Sequence, residues 1–187
     1  LRGKYDVLDY QYFTIFRDTT TYLQPTIPDT NTLYHDIYSR EPYQFSAYLQ
    51  DKMEYTNMIL NIGLRYDYLN PKAKYAPDIF KPTSGLVDAE PKSIFSPRIG
   101  ISFPITDQGI IHFSYGHFYQ LPPYRYLFTN PNFKKSGSTP TYGNANLNPE
   151  KTVTYEMGLQ QQLTETIAFN ITGFYKDVRD LLALQEI

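Results

Sequence analysis

The stretch NLNPEKTVTYEMGLQQQLTETIAFNITGFYKDVRDL, residues 146–181, decides the fold. It contains two long runs in which apolar and polar side chains alternate, joined by a polar turn at 163–166. Because successive side chains of a strand point to opposite faces, each run has one apolar and one polar side. Each run also reaches about ten residues, the length of a tilted membrane strand. The stretch therefore predicts a β-hairpin that crosses a membrane.

The same pattern recurs twice earlier in the chain, in YQFSAYLQDKMEY with MILNIGLRYDYLNP and in SPRIGISFP with IIHFSYGHFYQ. Short turns at one end and long loops at the other are typical of the periplasmic and extracellular ends of outer-membrane barrels. The long, Pro-rich loops are therefore predicted to be extracellular. The predicted hairpins span 43–70, 94–120 and 152–180, the predicted loops span 71–93 and 121–149, and residues 1–42 are predicted to hold the end of a strand and a further long loop.

Composition points to the same class of protein. Aromatic residues make up 17% of the chain although its mean hydropathy is negative. No segment approaches the run of about 18 apolar residues that a membrane helix needs, which leaves a β-barrel as the membrane option. The net charge of −2 shows no basic excess, so no nucleic-acid partner is expected. With no cysteine, disulfides and thiolate metal sites are excluded.

The predicted fold class is all-β, an antiparallel transmembrane β-barrel segment of about six or seven strands with long extracellular loops. Tyrosines cluster towards the long-loop ends of the strands, as in an aromatic girdle. An open sheet of this size would leave two unpaired edges in lipid. We therefore expect the segment to be part of a larger barrel.

Four segments, in order, resemble the barrel of TonB-dependent outer-membrane receptors of Gram-negative bacteria. The first is the pair of runs FSAYLQDKMEY and LNIGLRYDYLNP, and the other three are SPRIGISFPITDQGIIHFSYGHFYQLPP, NLNPEKTVTYEMGLQQQ and FYKDVRDLL. The resemblance covers 43–182 and, more loosely, 1–42. It is nearest to the large receptors of Bacteroidetes-like bacteria, which often carry a carboxypeptidase-regulatory-like domain before the plug.

The resemblance implies an integral outer-membrane barrel of about 22 strands closed by a plug domain. Such a receptor binds a scarce nutrient and imports it with energy supplied through TonB. The implied partners are outer-membrane lipid, the plug domain of the same chain, TonB, a nutrient ligand and a surface lipoprotein. Neither a plug nor a TonB box is visible in this sequence, so the resemblance implies a longer chain.

No catalytic or metal-binding pattern stands out. His112 and His117 are five residues apart, and alternation places them on opposite faces of a strand. His35 has Asp36 beside it, which is no recognised ligand spacing. No Ser-His-Asp set, G-x-S-x-G elbow or phosphate-binding glycine loop is present. Neither an enzyme nor a cofactor nor a metal site is predicted.

Polar side chains on the predicted strands are candidates for the lumen wall. Alternation places them on the face opposite the apolar one. Their simplest role is a polar lining that contacts water or the plug, and the sharper alternative is a ligand pathway. The predicted lumen-facing residues are Arg65, Asp67, Arg98, His112 and Glu156.

The loop at 121–149 holds an aromatic cluster that is a candidate for ligand contact. Its rings could stack on a sugar or a peptide, and its arginine could support a charged group. Alternatively, the rings could pack on each other and cap the barrel. The predicted ligand-facing residues are Tyr124, Arg125, Tyr126, Phe128 and Tyr142.

Two other functions share part of this pattern. A passive porin, or an adhesive or structural barrel, would have the same strands without energy coupling, and conductance through the purified protein would reveal it. A soluble β-sandwich binding module would need its apolar faces packed together, and detergent-free monomers would support it. The membrane-length strands favour the receptor over the soluble module.

Overall fold

A computed structural model describes residues 2–17, 25–81, 85–135 and 140–184. The predicted loops extend into the gaps, and those parts of the predictions lie outside the described residues. Within the described ranges the chain forms strands and one short helix. The strands are β1 (Arg2–Tyr5), β2 (Leu8–Phe13), β3 (Phe16–Arg17), β4 (Pro25–Thr26), β5 (His35–Arg40), β6 (Tyr43–Tyr55), β7 (Met58–Asn70), β8 (Lys74–Tyr75), β9 (Val87–Asp88), β10 (Lys92–Thr106), β11 (Gly109–Gln120), β12 (Glu150–Gln162) and β13 (Ala168–Arg179), and the helix is α1 (Tyr124–Phe128).

The main body is a seven-stranded sheet in the order β1-β6-β7-β10-β11-β12-β13. Every neighbouring pair is antiparallel, and from β6 onward each strand lies beside the next long strand in the chain. These long strands have between 12 and 15 residues. That is longer than the usual strand of about five or six residues and sufficient for a tilted membrane strand. The predicted all-β, antiparallel barrel segment is confirmed.

One face of the sheet is apolar across all the hairpins, because the register aligns the apolar positions of neighbouring strands. Leu49 lies opposite Leu64, and Ile62 lies opposite Ile99. This face is open: Leu49 is 78% exposed and Ile171 is 64% exposed. In the described part of the chain no second sheet covers it, as a β-sandwich would require. The apolar face is thus suited to lipid.

Aromatic rings form rows across the apolar face towards the long-loop end. The rings of Tyr66 and Phe95 have centroids 4.9 Å apart. Tyr155 lies between Tyr115 and Tyr175, at 5.0 and 6.2 Å. Cross-strand aromatic pairs stabilise a sheet, and rings with a polar tip suit the boundary between hydrocarbon and head groups.

Beyond the end of the sheet, β2 and β5 pair with each other and form what we call the arm. The arm prolongs the β1–β6 pair, and the Asp6 amide donates to the Pro42 carbonyl at 3.2 Å where the two meet. β5 lies inside the segment predicted as a long loop. Its residues HDIYSR are mostly polar and follow turn signals, so local alternation does not reveal it.

A cluster of buried apolar side chains lies at the long-loop end, outside the seven-stranded sheet. It joins the arm to residues 124–134 and 140–149, which we call the cap. The loop after β7 also contributes to it. The buried members of the cluster are Tyr38, Ala89, Leu127, Phe128 and Ala145.

Candidate functional site

The residues predicted to face the lumen share one face of the sheet. In the register, Arg98 lies between Gly63 and Gly116, and His112 lies opposite Gly158. Each of these partners belongs to the face opposite the apolar one. That the face borders a lumen stays a prediction. The five residues on it are Arg65, Asp67, Arg98, His112 and Glu156.

A compact polar cluster forms at the long-loop half of this face. Asp67 accepts two hydrogen bonds from the Arg65 guanidinium, from Nε at 2.7 Å and from Nη2 at 2.6 Å. The Ser46 hydroxyl donates to Asp67 Oδ1 at 2.6 Å and accepts from Arg65 Nη2 at 3.1 Å. This two-pronged geometry is the strong form of an arginine–carboxylate pair. The cluster ties β6 to β7.

The other predicted lumen residues do not join this cluster. The guanidinium carbon of Arg98 lies 4.7 Å from the centre of the Phe118 ring, a cation–π contact that covers Gly116. The His112 imidazole occupies the space above Gly158. Glu156 is half-buried and lies opposite Phe174. Among the described residues no group of three or more His, Asp and Glu side chains comes together as a metal site would need.

We expect Asp67→Asn to destabilise the sheet, because Arg65 and Ser46 lose a charged acceptor. The expected loss is about 1–2 kcal/mol, since the guanidinium is partly exposed. Urea unfolding of the complete protein in detergent measures it. Glu54→Gln is the matched control, because the Lys52–Glu54 pair is exposed on both sides and should contribute nothing measurable. Equal effects of the two substitutions would contradict a structural role for the cluster.

The predicted ligand-facing residues belong to the cap, and they differ in exposure. Phe128 is 2% exposed, with its ring 6.3 Å from that of Tyr38 and 5.7 Å from that of Tyr124. Phe128 is therefore a core residue of the cap and not a ligand contact, because α1 turns it towards the arm. The sequence could not distinguish these two outcomes for an aromatic residue in a loop.

The other four candidates are at least partly accessible, but they are not one surface. The Arg125 guanidinium lies 4.5 Å over the Tyr126 ring and donates to its hydroxyl. Tyr142 packs against Phe133 at 5.4 Å. Tyr124 faces the junction of the arm with the sheet. A ligand role for these residues remains a prediction.

Tyr124 fastens the cap to the sheet. Its hydroxyl donates to Asp6 Oδ2 at 2.7 Å and accepts from Gln44 Nε2 at 2.9 Å. Burial, with the Asp6 carboxylate beside it, raises the pKa of the Tyr124 hydroxyl well above its ordinary value. The phenol therefore stays protonated where an exposed tyrosine would ionise.

We expect Tyr124→Phe to loosen the cap by about 1 kcal/mol, because Asp6 loses a donor. A raised pKa means that the stabilisation by Tyr124 is fully present below pH 10.0 and is lost as the pH rises through the higher folded value. Subtilisin cleavage within 121–149 should accelerate from about pH 8 to about pH 11, and less so in the variant. Part of the rise should survive, because burial also raises the pKa of Tyr38. The same pH response in both proteins would contradict the assignment to Tyr124.

The structure also brings together two residues that no sequence pattern links. A cleft of about 270 Å³ opens between the arm and the cap. Asp36 and Lys134 meet in it, 3.6 Å apart, although 98 positions separate them in the chain (134 − 36). Strand alternation assigns each residue to a face but does not say which loop covers that face. No local signal pairs these two residues.

These features define a class: a membrane β-barrel sheet with one lipid-suited face, one polar face and a structured cap. The family model for the TonB dependent receptor-like β-barrel matches residues 2–187. The chain belongs to this family, which is one of transporters and receptors of the outer membrane rather than of enzymes. In the described ranges, no helix has both the length and the apolar character to span a membrane.

Solved structures show the same fold. Five solved chains match, among them the copper transporter OprC, with 15% sequence identity and a TM-score of 0.55. The match covers 94% of this chain and 27% of that one, so this chain spans about a quarter of OprC. At this identity the likeness shows the fold alone. No curated protein matches the chain.

Proposed function

We propose that this chain forms part of the barrel of a receptor that binds a scarce nutrient and imports it across the outer membrane with TonB-coupled energy. The observation that carries the proposal is a sheet with one apolar and one polar face and an ordered cap at its long-loop end. Lipid covers the apolar face, and the plug domain of the same protein lies against the polar face. The cap and the long loops face the outside, where the nutrient arrives.

The plug couples the barrel to TonB, and a surface lipoprotein is a further partner of the complete receptor. The motif series in 43–182 supports the Bacteroidetes-like type with a carboxypeptidase-regulatory-like domain. The polar residues Arg65, Asp67, Arg98, His112 and Glu156 then line the lumen and contact water or the plug. The accessible cap residues Arg125, Tyr126 and Tyr142 are contacts for the arriving ligand.

Paired gene deletions test energy coupling for whichever nutrient the receptor imports. One strain lacks the complete gene that carries this sequence, and the other lacks TonB. Growth is compared on limiting iron chelates, vitamins, glycans and peptides. We expect both strains to grow slowly on the same nutrient. A growth defect that loss of TonB does not reproduce would contradict energy coupling.

Conductance separates the receptor from a passive porin. In a planar bilayer, the complete protein should show no steady channel, because the plug closes the barrel. A steady open channel in the absence of ligand would favour the passive porin and overturn the receptor.

A further inference from the structure

The cleft between the arm and the cap has the features of a built site. It combines aromatic rings at its rim with a charged pair at its floor. At about 270 Å³ it is slightly smaller than the usual range for drug-sized ligands, about 300–1,000 Å³, and so suits a single ring. The lining residues used below are Tyr10, Tyr12, Asp36, Asn130, Lys134 and Thr141.

Strand alternation builds the arm side of the cleft. Tyr10 pairs with Tyr38 and Tyr12 pairs with Asp36, so these four residues share one face of the arm. That face packs on the cap, where the backbone N–H of Asn130 donates to Asp36 Oδ2 at 3.0 Å. The Tyr10 ring stacks on Tyr38 with centroids 4.8 Å apart, which fixes its orientation. The rim is thereby held in place before any ligand arrives.

The floor of the cleft holds a carboxylate that is not fully satisfied. Asp36 is 8% exposed, and its Oδ1 has no hydrogen-bond partner among the described residues. Lys134 Nζ lies 3.6 Å from this oxygen and donates instead to the His35 carbonyl at 2.6 Å. Buried acceptors are normally hydrogen-bonded, so a donor that reaches Oδ1 gains the bond that is lacking.

The charges and the rim indicate the chemistry of the ligand. Asp36 and Lys134 neutralise each other, so the floor offers no net charge to a charged ligand, which would lose its hydration without compensation. Tyr10 is 43% exposed and Tyr12 is 51% exposed, and their rings offer flat apolar faces at the entrance. A matching ligand is neutral, has one apolar face and carries hydroxyl groups.

We propose that this cleft binds a sugar ring of a neutral carbohydrate. The C–H face of the ring packs on Tyr12, and a ligand hydroxyl donates to Asp36 Oδ1. The exposed Thr141 supplies a further polar contact beside the ring. The proposal rests on the proposed receptor function and names the class of its ligand.

Saturation-transfer NMR on the complete protein tests the site, in a detergent without a sugar head group. The probes are maltose, cellobiose and lactose, with dialanine as a zwitterionic comparison and glucuronate as an anionic one. We expect at least one neutral disaccharide to bind and the other two classes to bind at least tenfold more weakly. Absence of binding by all three disaccharides, or stronger binding of dialanine or glucuronate, would overturn the proposal.

Four variants tie the binding to the cleft. Tyr12→Ala should weaken it about tenfold, because the stacking surface is lost, whereas Tyr12→Phe should retain it. Asp36→Leu combined with Lys134→Met, which leaves no buried charge unpaired, should weaken it about tenfold or more, because the acceptor for the ligand hydroxyl is lost. Tyr55→Ala is the control, an exposed tyrosine at the end of β6 next to a short turn, and should change nothing. Unchanged binding in Tyr12→Ala would place the sugar elsewhere and overturn the assignment.

A failure of sugar binding can be distinguished from a failure of the proposed receptor function. If the protein supports TonB-linked growth but binds none of the sugars, the receptor function stands and the carbohydrate proposal is wrong. If the protein binds a sugar at the cleft but does not support TonB-linked growth, the sugar site stands and the proposed energy coupling is wrong.

Discussion

Gly143→Ala is expected to detach the cap from the arm while leaving the barrel folded. A Cβ atom at Gly143 would lie 2.7 Å from the Thr129 amide nitrogen and 2.9 Å from the Leu127 carbonyl. These are backbone atoms, which cannot swing aside. The clash would also weaken two backbone hydrogen bonds. The Gly143 amide donates to the Thr129 carbonyl at 2.8 Å, and the Asn144 amide donates to the Tyr126 carbonyl at 2.8 Å. We expect a loss of about 1–3 kcal/mol from the cap.

Subtilisin cleavage within 121–149 measures this loss, and heat-modifiable migration in gels reports whether the barrel persists. Gly158→Ala is the matched control. Its Cβ would also meet another group closely, but that group is the imidazole of His112, the far end of a side chain that can rotate away. Equal cleavage of wild type and Gly143→Ala would show that the cap does not depend on this close approach.

Lys134→Met is expected to have the second large effect, because it leaves the Asp36 carboxylate buried without its cation. The side chains of both residues are almost fully buried, and the ammonium group also donates to the His35 carbonyl. Removing one partner of a buried ion pair costs about 3–5 kcal/mol. The loss should appear in the arm and the cap as faster subtilisin cleavage and faster amide exchange.

Two further variants identify the cause. Lys135→Met removes the adjacent, exposed lysine and should leave cleavage unchanged. The double variant Asp36→Leu with Lys134→Met should be more stable than Lys134→Met alone, because an apolar pair does not leave a buried charge unpaired. If Lys135→Met were as harmful as Lys134→Met, the buried pair could not be the reason.

The strands of the sheet could be predicted because their signal is local. In β6 (43–55) and β7 (58–70), the alternation of apolar and polar residues shows which face of the sheet each side chain lies on, and the turn between the strands is short. The shared face of Arg65, Asp67, Arg98, His112 and Glu156 follows from the same rule once neighbouring strands align. Tertiary packing is not needed for either inference.

The arm and the cleft could not be predicted because they depend on contacts between residues that are far apart in the sequence. β5 pairs with β2 across more than twenty residues, and its sequence lacks an apolar alternation. Phe128 could face a ligand or the core, and only the packing of α1 on Tyr38 decides between them. The meeting of Asp36 and Lys134 depends on how the cap folds over the arm. Such contacts are properties of the assembled fold rather than of any segment.

The most direct test of the central claim is the intact mass of the natively expressed protein extracted from outer membranes in detergent. A receptor barrel with a plug predicts a single chain several times heavier than 21.8 kDa, the mass of this sequence, in the outer-membrane fraction. A chain of about 21.8 kDa, or a protein found in the soluble fraction, would contradict the receptor function.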